Sequence, residues 1–220
     1  SKKVRQMELI NRPRRLRQND SIRRLCRETR LSPDSLIYPI FVDETLKGKR
    51  AIPALEGQFH YGLDAVCEAV EACIQAGVGR CILGTIAVKD FDFTERMAQT
   101  YGDRIAVGVD ARDGYVAVSG WKELSAEKGV DFCRRLRDAG VQTVIYTDIS
   151  RDGAEQGTNL ALYRELAKIE GLDITASGGV SSLEELRELR KIGAKAAILG
   201  KALYTGRLDL KTVIREVGAC

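Results

Sequence analysis

Residues 172–182 read LDITASGGVSS, and this stretch decides the fold. Residues 172–177 are a short run of strand length, broken by Gly178 and Gly179. Ser181 or Ser182 then stands as a helix N-cap, with Glu184 or Glu185 three residues on. Leu183, Leu186 and Leu189 follow at helical spacing and mark the buried side of that helix. A strand that ends on glycines and feeds a helix is one βα step.

Working outward, the step repeats. Candidate strands are 36–42 (LIYPIFV), 81–88 (CILGTIAV), 105–111 (IAVGVDA), 143–149 (TVIYTDI), 172–177 and 196–199 (AAIL). Between them, Leu63, Val66, Val70, Cys73 and Ile74 mark one apolar helix face, and Val130, Cys133 and Leu136 another. Near-continuous apolar strands alternating with helices imply an α/β protein with a parallel sheet covered by helices. No G-x-G-x-x-G follows the first strand, which disfavours a dinucleotide fold. Asp110, Thr147, Asp148, Gly178 and Gly200 all fall at the C-terminal ends of their strands, the rim on which barrel active sites form. The expectation is a TIM-barrel-like (βα) parallel barrel of about six strands. Either two irregular strands lie hidden in 43–60 and 113–121, or the barrel is incomplete. An incomplete barrel exposes two sheet edges, and a homo-dimer or higher oligomer is the expected result.

Composition fits one globular domain: 220 residues, 44% hydrophobic and 30% charged. No stretch approaches the roughly 20 apolar residues that span a bilayer, and no apolar segment of signal-peptide type follows the basic N-terminus. A cytoplasmic protein with no membrane partner is expected. The six cysteines (26, 67, 73, 81, 133, 220) lack C-x-x-C spacing and read as reduced small hydrophobes, not as disulfides or a metal site. Residues 1–30 hold eleven Lys and Arg against Glu8, Asp20 and Glu28, so the net charge of +4 is concentrated in a basic N-terminal arm. Such an arm fits phosphate contacts with nucleic acid, but no aromatic platform or base-reading motif accompanies it. It is read as a solvated arm packing on a neighbouring subunit, with 31–220 as the barrel-like domain.

The chemistry-bearing residues cluster at strand ends. Gly178 and Gly179, then Gly200 and Lys201 one strand later, offer close backbone approach to an anion, as in the phosphate sites built after the last two barrel strands. A tight turn explains a lone GG equally well, and Lys201 alone is also a surface cation. Asp110 faces the rim as a general acid or base. In YTDISRDG, residues 146–153, Thr147 and Asp148 point to opposite faces, so only one looks into a pocket. Thr147 with the loop carboxylate Asp152 is the more coherent pair, although Asp-Gly also braces turns. Residues 115–121 (YVAVSGW) alternate like a short ribbon and end in Trp121, a core residue or a stacking platform for a heterocycle. His60, the only histidine, has no partner cluster and reads as a surface or packing residue.

With these residues in place, 80–217 resembles the C-terminal part of the ProFAR isomerase family of histidine biosynthesis. The strings that carry it are RCILGTIAV, YGDRIAVGVDARDG, VAVSGW, YTDISRDG, ASGGVSS and GKALYTGRLDL. The resemblance implies an Amadori rearrangement of an aminoaldose to an aminoketose without a cofactor. Asp110 would be the general acid, Thr147 its assistant, and the GG and GK rims the grip on one substrate phosphate. Ala154 departs from the family, which usually has Thr after RDG. Residues 9–76 are similar to the start of porphobilinogen synthase, through RPRRLRQNDSIRRLCRETRLSPDSLIYPIFV, IPALEG and a helix ending QAGV. That resemblance implies an arm used in subunit association. The parent's Schiff-base lysines and metal-binding cysteines are absent, which excludes dehydratase activity.

The two resemblances meet at a seam near 77–82. The isomerase family's base is an aspartate at the end of its first strand, in a P-x-x-D context. Here the strand reads Pro39-Ile40-Phe41-Val42-Asp43, and the carboxylate comes one residue late. A one-residue offset turns a side chain to the opposite face unless a bulge compensates. The expected molecule is a hybrid phosphosugar-binding barrel with weak or absent isomerase activity, Asp43 being the possible substitute base. The alternative is an inactive engineered or structural chimera whose arm and edges drive assembly.

Overall fold

The computed structural model describes residues 38–43, 45–153 and 157–217. The basic arm, residues 36 and 37 of the first candidate strand and Ala154 lie outside them, and of the described part of that strand only Phe41–Val42 is paired in a sheet. The chain divides into two compact units, Ser1–Cys67 and Glu68–Cys220.

In the first unit, β1 (Phe41–Val42) runs parallel to β3 (Phe59–Tyr61), and β2 (Lys49–Ala51) pairs antiparallel with β3. The helix α1 (Leu63–Gln75) begins here and crosses the unit boundary. Asp64 in its first turn accepts the Gly48 N–H at 3.0 Å, tying the strand loop to the helix start. No residue of α1 is buried, so its expected apolar face is only half covered.

The second unit holds the α/β architecture. Its elements are β4 (Cys81–Leu83), α2 (Ile86–Lys89), α3 (Phe91–Tyr101), β5 (Ile105–Arg112), β6 (Tyr115–Val118), β7 (Glu123–Lys128), α4 (Gly129–Asp138), β8 (Thr143–Asp148), α5 (Leu160–Leu166), β9 (Asp173–Ser177), α6 (Leu183–Ile192), β10 (Ala196–Ala197), α7 (Lys201–Tyr204) and α8 (Leu210–Val217). The parallel strands run in the order β10-β9-β8-β5-β4. The sheet is therefore open, with β4 and β10 at its edges, and no closed barrel forms among the described residues.

Strand alternation divides the sheet into two faces. Val107, Val109, Val144, Tyr146, Ile174 and Ala176 point to one face and are almost fully buried. There they meet Phe132, Cys133 and Leu136 of α4, Tyr163 and Leu166 of α5, and Leu186 and Leu189 of α6 in one core. Each large side chain so buried contributes about 1.5–3 kcal/mol. Gly108, Asp110, Ile145, Thr147 and Thr175 point to the other face and are only half buried. On the edge strand β4, Ile82 is 44% exposed.

Two expectations need correction. Of 81–88, only Cys81–Leu83 is strand and Ile86–Lys89 is helical, because a short apolar run does not distinguish the two by periodicity. Strands do lie in 43–60 and 113–121, but of these only β3, which begins at Phe59 and runs parallel to β1, has a parallel partner. β2 pairs antiparallel, and β6 and β7 are antiparallel excursions from the end of β5. Asp113 and Gly114, at φ of 53° and 84°, form the two-residue turn that links β5 to β6. Among the described residues no helix is long and apolar enough to cross a membrane.

Candidate functional site

The register of the parallel sheet lines up three polar side chains. Asp110 on β5 stands opposite Thr147 on β8, and Thr147 opposite Ser177 on β9. Partners in register face the same way, so the three form a row across the C-terminal ends of adjacent strands. Asp148 turns to the other face, opposite Ala111, and is buried. Thr147, and not Asp148, shares the face of Asp110.

Trp121 reaches this row. Its indole Nε1 donates to Asp110 Oδ2 at 2.8 Å, while the residue remains 40% exposed. The lone tryptophan is thus a hydrogen-bonding neighbour of the carboxylate, not a core residue.

The two glycine rims follow β9 and β10, on one side of the row. Gly178 and Gly179 have φ of 95° and 77°, and each lies tight against the loop after β8. A Cβ on Gly178 would sit 2.5 Å from the Asp148 carbonyl oxygen, and one on Gly179 would sit 2.8 Å from that of Gly157. Both positions therefore require glycine for backbone reasons alone. Not all of the amides expected for an anion are open. Glu185 Oε2 accepts the N–H groups of Ser181 (2.8 Å) and Ser182 (3.2 Å), and Glu185 Oε1 accepts that of Thr158 at 3.1 Å. With the Ser182 hydroxyl accepting from the Glu185 N–H, this is a capping box, and the α6 N-terminus already holds its own carboxylate. The N–H groups of Gly178, Gly179 and Gly200 have no hydrogen-bond partner among the described residues. Lys201 extends from the second rim to donate to the Gly153 carbonyl at 3.1 Å, joining it to the loop after β8.

That loop is braced from below. Asp148 accepts from the Ser150 N–H (3.1 Å) and Asn159 Nδ2 (3.1 Å), and its carbonyl accepts from the Arg151 and Asp152 N–H groups. The Asp152 side chain is exposed on this turn. Tyr163 closes the underside: its hydroxyl lies 2.7 Å from the Ser177 carbonyl and 3.0 Å from that of Tyr146, and accepts the Ser177 N–H at 3.0 Å. Burial pushes the Tyr163 hydroxyl up to about 12, so it stays a neutral clamp. The Tyr146 hydroxyl is buried with no partner among the described residues, against Gly129, where a Cβ would lie 2.1 Å away. Burial likewise pushes the Cys133 thiol up to about 12, which leaves it inert.

Asp43 belongs to the first unit, and its carboxylate is occupied. Oδ1 accepts from the Thr45 hydroxyl (2.6 Å) and N–H (3.0 Å), and Oδ2 from Arg50 at 3.0 Å. The Thr45 hydrogen bonds, with Arg50 beside them, hold it below the ordinary carboxylate range, which makes it a weaker base. His60 is half buried on β3, its ring centroid 6.0 Å from that of Phe41, as a packing residue. No three His, Cys, Asp or Glu side chains among the described residues form a metal-holding group.

Ser177, Asn159 and Tyr163 were not singled out from sequence. Asn159 carried a signal, a cap residue directly before the apolar run of α5, where its Oδ1 accepts the Leu162 N–H at 3.3 Å. Tyr163 carried none, because its partners lie on other elements.

Residues 62–209 match the family model described as histidine biosynthesis protein, and residues 10–111 match that of delta-aminolevulinic acid dehydratase. Both models cover 62–111. The chain is 46% identical over 147 residues to a 1-(5-phosphoribosyl)-5-((5-phosphoribosylamino)methylideneamino) imidazole-4-carboxamide isomerase of Brachyspira hyodysenteriae, covering 67% of this chain and 62% of that protein. Isomerases of the same name match from Desulfitobacterium hafniense, 44% identical over 69% of this chain and 63% of theirs, and from Halorhodospira halophila, 49% identical over 66% and 61%. The chain thus spans about three-fifths of the length of these relatives.

Proposed function

The chain belongs to the histidine biosynthesis protein family through residues 62–209, and on that footing we propose that it is a hybrid phosphosugar-binding protein derived from an aldose–ketose isomerase barrel. The single observation that carries this reading is the Asp110–Thr147–Ser177 row, with the amides of Gly178, Gly179 and Gly200, which have no hydrogen-bond partner among the described residues, on its β9 side. A sugar phosphate fits such a place: backbone donors take the phosphate while a carboxylate and hydroxyls meet the sugar. Asp152 stands on the adjoining loop as a further carboxylate, and Lys201 adds positive charge.

The reaction is an Amadori rearrangement, in which an acid opens the ribose ring and a base removes the C2 proton. Asp110 is the acid of this reading, with Thr147 beside it. The base is the weak point. The family's first-strand carboxylate is displaced by one residue, and Asp43 is held by Thr45 and Arg50. The match of 10–111 to a second family supports an N-terminal segment of different origin.

A turnover assay with the relatives' phosphoribosyl substrate tests this. Loss of one acid–base group reduces rate by about 10²–10⁴-fold, so turnover at least that far below a full-length relative is expected. Asp110→Asn removes what remains, and Asp43→Asn changes nothing. Turnover equal to that of a relative overturns the inactive reading, and loss of activity in Asp43→Asn identifies it as the base.

A further inference from the structure

The end of α1 and the start of β4 bring two thiols together, away from the rim. α1 closes on a tight reversal: the Gly77 N–H donates to the Ile74 carbonyl at 3.0 Å and the Val78 N–H to that of Cys73 at 3.0 Å, with Gly77 at a φ of 100°. From Val78 only three residues, at most about 10 Å of chain, lead to Cys81 at the head of β4. Both cysteines belong to the second unit. Along α1 the half-buried residues are Ala65, Val66, Ala69, Val70, Cys73 and Ile74, one side of the helix. Cys73 is therefore on the covered side, and Cys67 is on the exposed one. Cys81 is in register with Ile105 and points to the helix-covered face of the sheet. Burial raises the Cys81 thiol above its ordinary value, and the charge of Cys73 adds to the rise, which marks the two as neighbours. Both are free thiols here.

We propose that Cys73 and Cys81 are a redox pair that closes into a reversible disulfide, fastening the end of α1 to the edge strand β4. The oxidant is a small disulfide such as oxidised glutathione. The Cys73 thiolate attacks first, because burial keeps Cys81 protonated; the S–S bond of the oxidant breaks and one glutathione thiolate leaves. Once Cys73 is capped, its charge no longer opposes ionisation of Cys81. The Cys81 thiolate then attacks the Cys73 sulfur and expels the second glutathione thiolate. Two electrons and two protons pass from the protein to glutathione, which ends as two thiols.

The full chain is incubated with oxidised glutathione, alkylated, cut with trypsin without reduction and read by mass spectrometry. Trypsin cuts after Arg80, so the bridge appears as peptide 51–80 linked to peptide 81–89. That linked species is expected to exceed glutathionylated Cys73 about tenfold, since the second step is intramolecular. It should persist in Cys67→Ser, vanish in Cys73→Ser and Cys81→Ser, and reverse with dithiothreitol. Fragmentation of the wild-type species shows which cysteine of 51–80 is joined, so the test stands even if a variant fails to fold. The oxidised chain should remain uncrosslinked to other copies and melt at a higher temperature than the reduced one. No linked species, a link through Cys67, or a link between two copies overturns the proposal. A bridge that leaves the melting temperature unmoved overturns the fastening of α1 to β4 while leaving the disulfide itself.

Discussion

Gly178 has two independent reasons to be glycine, a φ of 95° and the Asp148 carbonyl oxygen 2.5 Å from where a Cβ would stand. Gly178→Ala is accordingly expected to destabilise the protein by about 2 kcal/mol or more, read from urea unfolding midpoints. A loss of under about 0.5 kcal/mol would mean that the loop after β8 yields readily. At this scale the sequence was partly legible. Gly178, Asp110 and Thr147 announced themselves through type and place. The capture of the Ser181 and Ser182 amides by Glu185 did not, although Glu185 was visible as a capping residue. A capping box and an anion site use the same donors, and only geometry says which has them.

Among the elements, α6 is the one whose start was readable. Ser182 and Glu185 cap it, Leu186 and Leu189 are buried, and Gly193 ends it at a φ of 101°. Ser182→Ala should lower stability by about 1 kcal/mol, and it also loosens Glu185, which holds the Thr158 N–H from the neighbouring loop. Thermal denaturation of Ser182→Ala checks this, and an unchanged midpoint would show the capping box to be energetically idle. Strands β5 and β8 were legible as apolar runs closed by a polar residue, and β9 as a short strand-length segment broken by Gly178 and Gly179. The run at 81–88 was not, since β4 yields to α2 at Gly84 and Thr85 with no change in hydrophobicity. The pairing of β6 with β7 depends on the Asp113–Gly114 turn, and their direction follows from left-handed residues, not from apolar pattern.

At the scale of the whole molecule, the α/β class was readable from strand–helix alternation, and among the described residues the parallel strands of the second unit run from β10 to β4 without closing. How the strand set ends was not readable, because closure depends on tilt and stagger across many strands. Apolar residues on and beside the edge strands, such as Ile82 (44% exposed) and Ile198 (47%), favour self-association. Sizing by light scattering should therefore give a dimer or larger species, and a monomer at all concentrations would contradict it. Everything functional turns on whether the glycine amides at the ends of β9 and β10 take a sugar phosphate. Melting temperature against concentration of the relatives' bisphosphorylated substrate tests this directly, because a ligand of the folded state stabilises it whether or not turnover follows. The expected result is a steady rise, equivalent to about 2.7 kcal/mol at a hundred times Kd; a flat curve would contradict the account.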